Sequence, residues 1–147
     1  MAIKFFLMVN RQGQTRVAQY YTYTDVATRA ADEAEIIRKC LARTEKQCSF
    51  IEYRTFKLVF RRYASLYFII GCDEHENELA ILEFIHMAVE TLDQYFDGVS
   101  ELDIMFNIEK AHFILDEMLS NGEIVETNKT RILAPVRVID RSDKLSS

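Results

Sequence analysis

Residues 47–72 read QCSFIEYRTFKLVFRRYASLYFIIGC. Aromatic and β-branched residues fill this run, and only Arg54-Thr55 and Ala64-Ser65 interrupt it. That pattern predicts three strands, over 47–53, 56–62 and 66–72. Links this short leave an antiparallel meander as the natural topology. The second link lacks the Gly or Asn that a tight hairpin prefers. Arg61 and Arg62 stand side by side in the middle of the apolar run. Arg62 shares a strand face with Phe56, Leu58 and Phe60, and Arg61 shares one with Lys57 and Val59. The pair reads as a solubilising face with long aliphatic stems covering the sheet, or Arg61, with Lys57 and Arg54, lines one basic edge of a binding surface.

Upstream, residues 2–9 alternate between two faces that are both partly apolar, as in a central strand. NRQGQTR follows, with Gly13 as its turn residue, and residues 16–23 form a hairpin partner. Thr24 or Asp25 can cap a helix over 26–43. Ala27, Ala30, Ala34, Ile37 and Leu41 make its stripe, small enough for close approach to a sheet. Downstream, Asp73 to Asn77 is a polar loop, and a strong helix runs from Glu78 to Phe96. Its apolar arc is too broad for a single neighbour, so it should also face something beyond the sheet. Ser100 and Asp103 resemble a capping box at the start of a further helix to about Ser120. Asn121-Gly122 is a good stop for it. Pro135 forbids a regular uninterrupted helix through 123–139, and 140–147 reads as a frayed tail. The order is β-β-α-β-β-β-α-α, an α+β single domain with a five-stranded antiparallel sheet flanked by helices. The domain spans 1–139, with a flexible tail over 140–147.

A chain of 147 residues suits one core. A net charge of -5 argues against a nucleic-acid partner, which needs a basic surface. Cys40, Cys48 and Cys72 lack metal-site spacing and read as reduced thiols of a cytosolic protein. The start, MAIKFFLMVN, is too short and too interrupted by Lys4 for a leader. The sequence contains no nucleophile elbow, zinc motif or phosphate loop. His75 sits in a solvated acidic loop, and His86 and His112 lie on helices. Glu101, Asp103, Asp116 and Glu117 read as capping and surface carboxylates. No catalytic residue, metal or cofactor is expected.

Several long motifs carry a resemblance. NRQGQTR, CSFIEYRTFKLVFRRYASLYFI, ENELAILEFIHMAVETLDQYF, VSELDIMFN and FILDEMLSNGEIVETN resemble the small (sigma) subunits of the heterotetrameric clathrin-adaptor-type complexes. The likeness covers about residues 1–137. MVNRQGQTR, QCSFIEY and VETNKTRILAPV are most similar to the branch that serves the fourth complex, with the complex 1 branch next. The resemblance implies a longin-like domain, which agrees with the order derived above. It implies two large subunits and one medium subunit as partners. It also implies vesicle-mediated transport at trans-Golgi or endosomal membranes, with Arf-class GTPase and membrane association made indirectly. A free-standing longin-domain regulator is the alternative.

The family also implies binding of acidic dileucine signals, [DE]xxxL[LI], in cargo tails. The matching pocket positions are Ala64, Leu66, Phe68, Val89, Val99 and Ile104. Tyr63 matches the pocket edge and Arg16 the basic rim, with a large-subunit cation expected to help. Gly98 stands where a signal-binding family member carries Asn, so that side-chain hydrogen bond is missing here.

Overall fold

The computed structural model describes residues 3–22, 25–43, 49–120, 123–124 and 129–146. Strands β1 (Ile3–Asn10), β2 (Thr15–Tyr20), β3 (Phe50–Tyr53), β4 (Phe56–Tyr63) and β5 (Leu66–Asp73) form one antiparallel sheet. Its order is β2-β1-β5-β4-β3. The meander over β3 to β5 is therefore present, and β1 is an interior strand, as its two apolar faces predict. Both meander turns place their first residue at positive φ, Arg54 at 55° and Ala64 at 53°. A left-handed residue other than glycine costs about 1–2 kcal/mol, so Ala64→Gly should stabilise the chain by about 1 kcal/mol. A urea midpoint unchanged by that substitution would show that the turn is unstrained.

The sheet buries both faces. Phe6, Met8, Val59, Leu66, Phe68 and Ile70 point into the larger core, and Phe5, Leu7, Leu58, Phe60 and Ile69 into the smaller. Helix α1 (Val26–Leu41) covers the smaller core and is capped by Asp25, whose side chain accepts from the Thr28 N–H. Its buried residues are Ile36, Ile37 and Cys40. Ala27, Ala30 and Ala34 are exposed, which corrects the expected alanine stripe. Burying isoleucine removes more apolar area from water than burying alanine, so the helix docks through its C-terminal half. Burial pushes the Cys40 thiol up to about 12 and Cys72 up to about 11, so both stay protonated near neutral pH.

Helix α2 (Glu78–Phe96) crosses the larger core, capped by Asn77, whose side chain accepts from the N–H groups of Leu79 and Ala80. The expected single helix after Gly98 is two, α3 (Glu101–Phe106) and α4 (Ile108–Met118). Asn107 marks the break: its backbone leaves the helical conformation at φ -133°, while its N–H and its Nδ2 both donate to the Asp103 carbonyl at 3.0 Å. A short ribbon of β6 (Leu119–Ser120) and β7 (Glu123–Ile124) follows.

Helix α5 (Lys129–Ser146) then runs through Pro135, contrary to expectation. A proline inside a helix costs about 3 kcal/mol, but Ile132, Leu133 and Val136 are fully buried around it, and that packing offsets the loss. Residues 140–146, read as a tail, continue the helix. Asp140 accepts from Tyr95 Oη at 2.7 Å and pairs with Lys110 at 3.1 Å. The expected boundary after residue 139 thus falls inside α5. The possible Thr24 cap, the start of the third strand at 47–48, Cys48 and the Asn121-Gly122 stop lie outside the described residues.

Candidate functional site

The sequence-selected residues converge on one end of the sheet. Leu66 pairs with Asn10 of β1 on one side and with Tyr63 of β4 on the other. Above it lie the C-terminal half of α2, the 97–100 turn and the start of α3. That turn is held by Asp93, whose Oδ1 accepts from the Val99 N–H at 2.9 Å and from Tyr63 Oη at 3.2 Å. The Asp93 carboxylate raises the exposed Tyr63 phenol above its ordinary range. Asp97 ends α2 in the left-handed conformation, and Gly98 follows at φ 101°. A Cβ on Gly98 would meet nothing within 4 Å. The backbone angle, rather than lack of room, is what favours glycine there.

Leu66, Phe68, Val89, Val99 and Ile104 all belong to the larger core. Leu66, Phe68 and Ile104 have no exposed surface. The apolar set is therefore brought together, but as packed core rather than as an open pocket. Only Val89 and Tyr63 of the set reach a surface groove, a cavity of about 170 Å³ also lined by Arg61, Arg62, Ile85, His86, Glu90 and Asp93. Arg61 and Arg62 are exposed at its edge, and Arg62 Nε donates to the Ala64 carbonyl at 3.1 Å. Ala64 itself is exposed at the turn.

Arg16 lies on the β2 side of this end, with about a quarter of its side chain exposed. Its Nε donates to Glu101 Oε1 at 2.8 Å and its Nη2 to Gln14 Oε1 at 3.1 Å. Asn10, only 2% exposed, donates through Nδ2 to the same two oxygens, each at 2.8 Å. Asn10 Oδ1 accepts from the N–H groups of Gln12 and Gln14. These donors hold the Glu101 carboxyl below its ordinary range, the Asn10 hydrogen bond contributing most.

Sequence reading placed Glu101 among helix-capping carboxylates, but Ser100 and Asp103 form the capping box without it. Asn10, Gln14 and Asp93 were also missed. The polar letters of NRQGQTR were the available signal for the first two.

The larger cavity, about 390 Å³, lies at the other end of the sheet under the first half of α1. None of the candidate residues lines it, and its Arg54 and Asp32 pair with each other at 3.0 Å. Among the described residues no cluster of three or more His, Cys, Asp or Glu is placed to hold a metal. Nor is any described helix long and apolar enough to cross a membrane.

The broad arc of α2 is mostly covered within the chain. Ile81, Phe84, Ile85, Ala88 and Leu92 are buried against the sheet, α4 and α5. Exposed apolar surface gathers elsewhere, on Leu102, Met105, Phe106 and Ile108, with Phe106 81% exposed.

Comparison with known proteins gives a family model described as "Clathrin adaptor complex small chain", matched by residues 2–143. The chain is 61% identical to "AP-4 complex subunit sigma" of Arabidopsis thaliana, covering 97% of this chain and 99% of that one. It is 59% identical to "AP-4 complex subunit sigma-1" of Homo sapiens, covering 95% and 96%. Against "AP-1 complex subunit sigma-1" of Schizosaccharomyces pombe the identity is 46%, covering 92% and 84%. A chain of "Homology model of the full-length AP-3 complex in a stretched open conformation" superposes with a TM-score of 0.75 at 29% identity, covering 98% and 96%.

Proposed function

This chain belongs to the clathrin adaptor complex small chain family, a family of structural trafficking subunits, and from that premise we propose that it is the sigma subunit of an AP-4-type complex. Its partners are two large subunits and one medium subunit, and its work is cargo selection in vesicle-mediated transport at the trans-Golgi network. The observation that carries the reading is the near-full-length identity to AP-4 sigma chains, which stands well above that to AP-1 sigma. The exposed apolar side chains of Leu102, Met105, Phe106 and Ile108 support assembly, since exposed apolar surface gathered in one short segment suits a partner.

The acidic dileucine signal is the cargo feature this end of the sheet suits. Two adjacent leucines need apolar surroundings, and each buried leucine is worth about 1.5–3 kcal/mol. Tyr63 and Val89 border the groove, with Leu66, Phe68, Val99 and Ile104 behind them and Arg16 on the acidic side. The groove of 170 Å³ is smaller than the roughly 300 Å³ at which ligand pockets begin. A leucine pair therefore enters only as the Tyr63 turn and α2 part. That opening opposes binding, so a single tail binds in about the micromolar range, and selectivity comes from several contacts made together on a membrane.

Gentle purification of the tagged protein from its own cells, followed by mass spectrometry, tests the assembly. Two large subunits and one medium subunit in equal amounts support it. Recovery alone, or with unrelated partners, would mean a longin fold put to another use. In the assembled core, Tyr63→Ala should leave assembly intact, because the ring is more than a third exposed. It should weaken dileucine-peptide binding about fivefold or more, the usual effect of losing an aromatic contact. Unaltered affinity would move the cargo site elsewhere.

A further inference from the structure

We infer that Glu101 is a built-in competitor for the acidic residue of the cargo signal, occupying the Arg16 guanidinium until a ligand carboxylate displaces it. This rests on the dileucine reading above and concerns the same site.

The contact is built rather than incidental. Glu101 comes from the first turn of α3 and Arg16 from β2, 85 residues away. They meet at 2.8 Å, and buried Asn10 reaches the same carboxylate oxygen from β1. Asn10 is in turn fixed by the turn N–H groups it accepts from. The helix start does not need Glu101, because Ser100 and Asp103 cap each other. What remains for its side chain is to accept from buried Asn10 and to hold Arg16.

The chemistry is that of the ligand. A Glu or Asp upstream of the leucine pair brings the same carboxylate to the same guanidinium. Arg16 already spends Nε on Glu101 and one Nη2 hydrogen on Gln14, so of its five N–H donors an incoming acid either takes the remaining ones beside Glu101 or displaces it. About a quarter of each partner side chain remains exposed, which gives a ligand a route to the pair. The preference for an acid is then a difference between two carboxylates rather than the full strength of one. A neutral residue at that signal position gains nothing from the exchange. Glu101 thereby weakens single acidic tails and shifts discrimination toward tails presented at high local concentration.

The test uses the assembled four-subunit core, wild type and Glu101→Gln, with two fluorescent peptides. One carries the acidic dileucine signal, and in the other the acid is replaced by Gln. Glu101→Gln keeps the shape and the acceptor oxygen but removes the charge, so the Asn10 contact survives. The expected result is acidic-peptide affinity raised about three- to tenfold, with the Gln peptide changed less than about twofold. Adding Arg16→Ala should remove the gain. Equal affinity for the acidic peptide in both cores overturns the inference and leaves the dileucine reading standing. Weaker binding by Glu101→Gln also overturns it, because Glu101 would then be aiming Arg16. If neither peptide binds either core, or if a peptide with Ala-Ala for the leucine pair binds equally well, the dileucine reading falls and takes the inference with it.

Discussion

Gly71→Ala should destabilise the chain by about 3 kcal/mol, at the upper end of the range for overpacking a filled core. Gly71 pairs with Phe5 across β1 and β5. A Cβ built there lies 2.2 Å from Phe5 Cε1, 2.4 Å from Cζ and 2.8 Å from Cδ1. The added methyl therefore meets the body of a ring, not the end of a flexible chain. Tyr20 packs on the ring at 5.6 Å and Phe56 edge-on at 5.9 Å between centroids, so relief would require the ring to shift toward the cavity under α1 that it also lines. A glycine inside a strand marks a close approach of this kind. The urea midpoint of the purified chain measures the loss. Phe5→Ala in the Gly71→Ala background should cost less than it does in the wild type, because it removes the clash. A midpoint unmoved by Gly71→Ala would mean that the ring has a second seat.

Phe68→Ala should cost about 3–5 kcal/mol, the range for deleting a buried aromatic ring. Phe68 has no exposed surface and packs edge-on against Phe6, with ring centroids 6.2 Å apart. Phe6 in turn meets Phe84 of α2 edge-on at 6.3 Å, so the ring couples the sheet to the helix above it. Such a loss is a large part of the ~5–15 kcal/mol that holds a domain folded. Soluble yield on co-expression with the large subunits should fall steeply, and so should the urea midpoint of whatever chain is recovered. A fully stable Phe68→Ala chain would mean that the core collapses around the gap. The same reasoning applies to Leu66 and Ile104. Truncating either one removes core, so lost peptide binding in those variants says nothing about direct contact. Tyr63, Arg16 and Glu101 reach the surface and separate binding from folding.

The difference between these two groups was not legible in the chain. Leu66 and Phe68 are apolar whether they line a pocket or fill a core, and periodicity reports only which face they share. Glu101 was readable as an acid in a first helical turn, where carboxylates are common. Its partner lies 85 residues earlier, and no local pattern announces that.

Sequence alone determined the meander, the interior place of β1, the helix over 78–96 and the capping box at Ser100, because each follows from spacing and side-chain type within about a dozen residues. Its long motifs also pointed to the family to which the chain belongs. Tertiary structure decided which face of α1 is buried, since Ile36 and Ile37 had more apolar area to hide than the alanines beside them. It decided that α5 would run through Pro135, because the packing of Ile132, Leu133 and Val136 outweighs a local penalty. It decided, too, that Arg16 faces a carboxylate of its own chain. That pairing depends on how β2 and α3 are brought together in space, which is set by the whole core rather than by any segment of it.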